Sequence, residues 1–311
     1  MAKVLIALGL LLCGCAAPAA EAARCEFSQT AMGVVCRMVV YAPNEDSAKR
    51  ACTAAFDRIA RLEDLMSDYR PASELMRLCA KSRGKPVKVS PELMLVLTKS
   101  RELSERSAGA FDVTVGPMVK LWRESRKSGK LPDAGRLENA RRYVGWRKMT
   151  LDPKKRTARL AVAGMQLDLG GIAKGYACDE AIRVLKKHGI GSAMVEMGGD
   201  IVVSGPPPGK DGWVIEIPNA GPDHSRKTLT NSGISSSGDT EQYVEIDGTR
   251  YSHIVDPRTG VGLTDRIAVT VVAPNGITSD GLSTAISVLG ADKGRVLART
   301  FLAAVYIRAA K

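Results

Sequence analysis

Asp168-Leu169-Gly170-Gly171-Ile172-Ala173-Lys174-Gly175-Tyr176-Ala177-Cys178-Asp179-Glu180 is the stretch on which the fold turns. An apolar strand is expected to end at Asp168. Two glycines then turn the chain, and an amphipathic helix is predicted from about Gly171 to His188, with Gly189 closing it. A strand, a glycine turn and a helix carrying a lysine in its first turns bring backbone N–H groups close to a ligand and suit a phosphate. Outward from this stretch, residues 147–168 alternate like a strand pair around Asp152-Pro153. Upstream of these, Glu26–Gln29 and Val34–Tyr41 read as strands around Thr30-Ala31-Met32-Gly33. Apolar residues from Ala48 to Met66 recur at helical spacing, and Ser90-Pro91 opens a helix that runs to about Ser107. Downstream come short strands at Ala193–Met197, Ile201–Ser204, Trp213–Ile217, Tyr243–Ile246 and Ile267–Val272, with a hairpin signal at Asp247-Gly248. Helices at about 278–289 and 291–299 precede a last strand, Phe301–Ile307. Runs of strands alternate with runs of helices rather than with strict βαβ units, so the fold class is α+β, mixed sheets packed with helices.

Residues 1–14 combine one cation with an apolar run too short for a stable membrane span. Leu12-Cys13-Gly14-Cys15 follows and resembles a bacterial lipobox. Residues 1–14 are expected to be a signal peptide, Cys15 the lipidated first residue, residues 15–27 a tether and residues 28–311 one domain. An ordinary secretory signal cut among Ala16–Ala23 is the alternative. Either way the chain is expected outside the cytoplasm, in the bacterial periplasm and anchored to the membrane by lipid.

The formal charge of +12 does not point to nucleic acid. No Arg/Lys stripe is interleaved with aromatics, which make up only 5% of the chain. The clusters Arg123–Lys130, Arg141-Arg142 and Lys154–Arg159 read as solvated surface. After the leader, Cys25, Cys36, Cys52, Cys79 and Cys178 are left, an odd set without a CxxC pair, so zinc and thioredoxin-like chemistry lack support. Cys25 and Cys36 flank the first turn and either pair in an oxidising compartment or are buried thiols. With three histidines (His188, His224, His253) and no HExxH, any metal must be held by oxygen.

Eight segments occur in an order that is similar to one family. They are Thr30-Ala31-Met32-Gly33, Met66 through Leu75 (MSDYRPASEL), Gly109 through Pro117 (GAFDVTVGP), Asp168 through Tyr176, Gly198-Gly199-Asp200-Ile201, Ser237-Gly238-Asp239, His253 through Gly260 (HIVDPRTG) and Ser279 through Ala285 (SDGLSTA). From about residue 28 to 300 the chain resembles the ApbE-like FAD:protein FMN transferases, which are often periplasmic lipoproteins with a T-fold-related architecture. The resemblance implies cleavage of the FAD pyrophosphate, with FMN passed to a Thr or Ser hydroxyl of an acceptor protein and AMP released. It also implies Mg²⁺, and an acceptor among the subunits of membrane redox complexes.

Asp280 and Thr284 are spaced i, i+4, which projects both oxygens from one helix face. By resemblance they bind Mg²⁺ together with the Gly171 carbonyl, a hard-oxygen set. The alternative is that Asp280 caps its helix and Thr284 bonds back within it. On the FAD side the resemblance implies Met32 against the flavin, Tyr69 as an aromatic contact, Ala110-Phe111-Asp112 largely through backbone, Asp168 at the adenosine, Ile254 lining the pocket and Lys174 touching the ligand. Apolar core filling is the other reading of Met32 and Tyr69, and a strand-end turn that of Asp168. The family often has Glu at Lys174. His253 is the candidate for proton transfer, with Asp256 either orienting it or starting the Pro257-Arg258-Thr259-Gly260 turn. The Gly/Ser-rich stretch Asn231–Asp239 reads as a loop near the phosphates or as a plain hairpin loop. Two departures stand out: Val34 where Thr is common, and Glu196 where many members carry Asn. A metal-dependent FAD pyrophosphatase and a non-catalytic FAD-holding lipoprotein are the competing functions; intact Asp280, Thr284 and Gly170-Gly171 argue against the second.

Overall fold

The computed structural model describes residues 22–217, 225–238 and 242–309. The expected leader, Cys15, His224 and Asp239 lie outside the described residues. Strand β1 (Ala23–Ala31) turns into β2 (Val34–Ala42) through Met32 and Gly33 alone. Both turn residues have positive φ, 49° and 77°, the two-residue geometry that matches strand twist and that non-glycine residues rarely adopt. The Met32 N–H donates to Glu63 Oε2 at 3.2 Å and secures the turn.

The two strands start a seven-stranded antiparallel sheet in the order β1-β2-β6-β7-β10-β13-β14. The later strands are β6 (Ser192–Met197), β7 (Asp200–Val203), β10 (Ser232–Ser237), β13 (Ile267–Ala273) and β14 (Ala304–Ala309). One face carries three helices, α1 (Glu45–Met66), α6 (Ala173–Lys187) and α7 (Gly276–Leu289), which pack side by side. Alternation does the sorting. Cys36, Met38 and Val40 of β2 point into the helical core with Ile59, Leu62, Ala177 and Leu185. Val39 points the other way, where Met194, Val203 and Ile234 meet Trp213 and Ile215 of a hairpin formed by β8 (Trp213–Glu216) and β9 (Arg226–Leu229). Burying each such large side chain contributes about 1.5–3 kcal/mol. A smaller module flanks the sheet: α2 (Glu74–Ser82), α3 (Pro91–Arg106) and a sheet β3-β5-β4 made of Val87–Lys88, Thr157–Leu160 and Met149–Asp152. A further core joins Met118, Trp122, Ile246 and Val255, under α4 (Gly116–Ser128), α5 (Ala134–Arg141) and the hairpin β11 (Tyr243–Ile246)–β12 (Thr249–Ser252). The architecture is α+β.

Several sequence expectations change. Residues 165–168 form no strand: β5 ends at Leu160, and the Asp168 N–H donates to the Val113 carbonyl at 2.8 Å instead of joining a ladder. The apolar run there fills the core without pairing. The loop expected over Asn231–Asp239 holds a strand instead. Residues 232–237 are the interior strand β10, paired with β7 and β13, and three of its hydroxyls find partners: Ser235 on Ser279 at 2.8 Å, Ser236 on Thr270 at 2.8 Å and Ser237 on Ser283 at 2.7 Å. Cys25 faces Val40 and Cys36 faces Gln29 in the β1–β2 register, so the pair does not meet and both thiols are free. The last strand starts at Ala304, after a turn at Phe301-Leu302.

Candidate active site

Helices α6 and α7 exchange carboxylates. Helix α6 begins after Ile172, whose side chain offers no cap, and the missing acceptor comes from α7: Asp280 Oδ2 takes the Gly175 N–H at 2.9 Å. In return, Asp179 of α6 accepts the first N–H groups of α7, Gly276 at 2.7 Å and Ile277 at 2.9 Å. Asn275 completes the α7 cap through the Thr278 N–H at 3.1 Å. Orphan amides at both helix starts are thereby satisfied by side chains of the neighbouring helix. The close approach requires glycine, since a Cβ at Gly175 would collide with the Gly276 carbonyl and sit 2.7 Å from Asp280 Cβ.

This arrangement removes the helix-cap reading of Asp280. Asp280 does not cap its own helix; one oxygen is held by α6 and Oδ1 is left facing the cavity. Thr284, one turn on, behaves differently from its neighbours. Ser279, Ser283 and Ser287 return their hydroxyls to helix carbonyls, whereas among the described residues the Thr284 hydroxyl has no such bond. Gly171 lies against it: a Cβ there would be 2.9 Å from Thr284 Oγ1. Asp280, Thr284 and Gly171 line the same cavity, and their carboxylate, hydroxyl and carbonyl are a hard-oxygen set whose chemistry fits Mg²⁺. Among the described residues no group of three or more His, Cys, Asp and Glu side chains is placed for a metal, so any cation here would draw on one carboxylate, neutral oxygens and substrate. Asp280 is only 3% exposed. Burial and the nearby Asp200 push its pKa up to about 7, against the opposing pull of Lys174 and the Gly175 amide.

Asp280 and Thr284 line one end of a cavity of about 1230 Å³ that also receives Met32, Tyr69, Ala110, Phe111, Asp112, Asp168, Gly171, Lys174, His253 and Ile254. Every site residue expected from the sequence and lying in the described region is thus brought together. Asp112 contributes backbone and structure: Oδ1 accepts from the Thr114 amide and hydroxyl at 2.8 and 2.7 Å, and Oδ2 from the Trp146 N–H at 2.8 Å. Ala110 and Ile254 meet Val288 in a small apolar wall.

His253 is oriented by a group the sequence reading did not identify. Its Nδ1 lies 3.2 Å from the Gln242 carbonyl, which also takes the His253 backbone N–H at 3.1 Å. A carbonyl can only accept, so Nδ1 carries the proton and Nε2 keeps its lone pair. Burial holds the imidazole below its ordinary pKa. Asp256 does not orient His253. Its oxygens hold the Arg258 amide at 2.8 Å and guanidinium at 2.7 Å, which makes it the turn-forming residue of the two alternatives.

Arg123 corrects the reading of its cluster as solvated surface. Its guanidinium joins Asp68, meets Asp168 Oδ2 at 2.8 Å and lies over the Tyr69 ring, 4.2 Å from the centroid. Tyr69 itself is 73% exposed. Asp168 Oδ1 holds the Gly170 N–H at 2.7 Å, so that amide is not a free phosphate donor. Burial, then the neighbouring Asp68, raises the Asp168 pKa against the pull of Arg123. The signal for Arg123 was its helical spacing after Val115 and Val119, a row along α4 that also lines the cavity. Asp200 is the other omission: it starts β7, is 3% exposed and pairs with Lys174. Of the two departures, Val34 packs against Gly198, where a Cβ would lie 2.9 Å from Val34 Cγ1. Glu196 forms an ion pair with Arg37 at 3.0 Å.

Comparison with known proteins agrees with this geometry. A family model described as "ApbE family" matches residues 32–307. The FAD:protein FMN transferase of Haemophilus influenzae is 36% identical over 78% of this chain and 73% of its own length. That of Treponema pallidum is 33% identical over 96% of this chain and 87% of its own. The apo flavinyl transferase ApbE of Pseudomonas stutzeri superposes with a TM-score of 0.79 at 31% identity, over 92% of this chain and 90% of that one. A match of this breadth, on a chain whose helices and cavity carry the motif residues together, shows that the protein belongs to the ApbE family.

Proposed function

We infer that this chain transfers FMN from FAD to a Thr or Ser hydroxyl of an acceptor protein and releases AMP. The observation that carries the reading is the convergence on one cavity of Asp280 Oδ1, the unbonded Thr284 hydroxyl and a histidine with an available nitrogen. In the reaction the acceptor oxygen forms a bond to the FMN-side phosphorus, the pyrophosphate P–O bond breaks, and AMP leaves with the bridging oxygen. His253 Nε2 takes the hydroxyl proton, held in the right tautomer by the Gln242 carbonyl. Asp280, Thr284 and the Gly171 carbonyl would hold Mg²⁺, which when bound would supply positive charge against the pyrophosphate. Lys174 adds positive charge on the same side. Met32, Phe111, Ile254 and Tyr69 supply the apolar and aromatic surface for FAD, and Asp168 accepts from its adenosine half once Arg123 yields. Relatives named FAD:protein FMN transferase support the activity; the metal and the residue roles rest on the geometry and the resemblance.

Incubating the domain with FAD, Mg²⁺ and a Thr-bearing acceptor tests this. A covalent FMN mass addition with stoichiometric AMP is expected. AMP and free FMN without an adduct would show a pyrophosphatase instead.

The lipobox-like Leu12-Cys13-Gly14-Cys15 supports a lipid anchor on Cys15 and a periplasmic site of action, where the acceptor is a membrane redox-complex subunit. Labelled palmitate should enter the wild-type chain and not the Cys15→Ala variant; label in both would remove the anchor.

A further inference from the structure

Lys174 lies on the first turn of α6, yet its ammonium points at acids rather than at solvent. It is hydrogen-bonded to Asp200 Oδ2 and stands 4.0 Å from Asp280 Oδ1. Both carboxylates are 4% exposed and the lysine side chain 25%. Asp280 Oδ2 is already held by the Gly175 amide, so the oxygen that Lys174 approaches is the one left for a metal. Burial alone would lower the lysine's pKa; Asp280 and Asp200 outweigh it and the net direction is upward. The group stays charged.

We propose that Lys174 is a resident counter-cation of the Asp200–Asp280 pair that keeps divalent-metal affinity low until the pyrophosphate arrives. The inference rests on the Mg²⁺ reading of Asp280, Thr284 and Gly171. Two buried carboxylates with no positive partner would be unstable, and the single ammonium balances one of the two charges and offsets part of the other without any metal. A dication at Asp280 Oδ1 must then sit a few ångströms from that ammonium, at a distance shorter than the screening length of ordinary salt. Incoming phosphates relieve it, because they offer both positive groups a new partner. Metal and FAD binding become coupled, and the coupling is reciprocal.

Calorimetric titration of Mg²⁺ alone into the metal-free domain tests the proposal on wild type, Lys174→Gln and Asp280→Asn. The neutral Lys174→Gln variant is expected to bind Mg²⁺ at least tenfold tighter than wild type without FAD, and its melting temperature to rise more on adding Mg²⁺. Equal or weaker Mg²⁺ binding by Lys174→Gln overturns the proposal. Should Lys174→Gln fail to fold without metal, refolding by Mg²⁺ supports the same competition, and failure of that rescue counts against it. The underlying metal assignment fails by a different result: Asp280→Asn binding Mg²⁺ as wild type does, or none of the three binding it even with ADP present.

Discussion

Asp280 Oδ2 accepts the Gly175 N–H at 2.9 Å, so the carboxylate that faces the cavity is also the cap of the neighbouring helix. Helix packing and site geometry are therefore one feature. Replacing Gly175 by Ala drives a methyl into the Gly276 carbonyl and the Asp280 side chain. Overpacking of this kind costs about 1–3 kcal/mol. Gly175→Ala is expected to melt several degrees lower and to lose FMN transfer out of proportion to the stability change. Wild-type turnover in a folded Gly175→Ala protein would disconnect the cap from the site.

Asp280→Ala removes the proposed metal carboxylate and the α6 cap together, whereas Thr284→Val removes only a hydroxyl. Transfer is expected to fall by roughly 10²-fold or more in Asp280→Ala, as for loss of a charge that stabilises the transition state. Thr284→Val should keep its melting temperature, because the hydroxyl bonds nothing in the helix, while requiring more Mg²⁺ for half-maximal rate. An unchanged Mg²⁺ requirement in Thr284→Val would remove the threonine from the metal site.

The pH profile follows from His253. Burial lowers its pKa, so the neutral base persists below the usual histidine value of about 6.5. The same shift favours folding above about pH 6.5, and that contribution is lost as the pH falls from there through the lower native value. At saturating Mg²⁺, which keeps Asp280 ionised, the acid limb of the transfer rate is expected below pH 6.5. His253→Asn should flatten that limb and slow transfer about 10²–10⁴-fold, with FAD affinity little changed. An acid limb that survives unaltered in His253→Asn assigns the proton transfer to another group.

Arg123 ties Asp68 and Asp168 together and covers Tyr69. Arg123→Ala frees the Asp168 oxygen for the nucleotide but leaves two acids facing each other. A change in KM for FAD with a smaller change in kcat is the expected outcome, measured against a constant acceptor concentration. If kcat alone falls, Arg123 belongs with the reacting atoms and not with the adenosine side.

The buried thiols give a test of the fold itself. Burial pushes Cys36 and Cys52 up to about 12 and Cys79 up to about 11, and thiolate is the reactive form. At pH 8 a thiol reagent should label Cys25 in the folded domain and leave Cys36, Cys52, Cys79 and Cys178 untouched until denaturant is added. Fast labelling of Cys36 would show that β2 does not pack against the helices as described.

The sequence by itself determined the α+β class, helices α1, α3, α6 and α7, most strands of the main sheet, and the identity of most residues that gather in the cavity; it did not yield α2, α4, α5 or the strand β10. It could do the first because periodicity and caps are local, and because motif residues such as Asp280 and His253 keep their spacing. The three-dimensional arrangement decided what each group is free to do. Whether Asp280 caps α7 or faces a ligand depends on Gly175, 105 positions away; what orients His253 depends on a carbonyl in another strand's approach; and Ser232–Ser237 becomes a strand by pairing with β7 and β13, with hydroxyls of α7 and β13 beside it. The Lys174–Asp200–Asp280 cluster was equally hidden, since charge compensation in a dry pocket is a property of distance and burial, and neither is written in the order of residues.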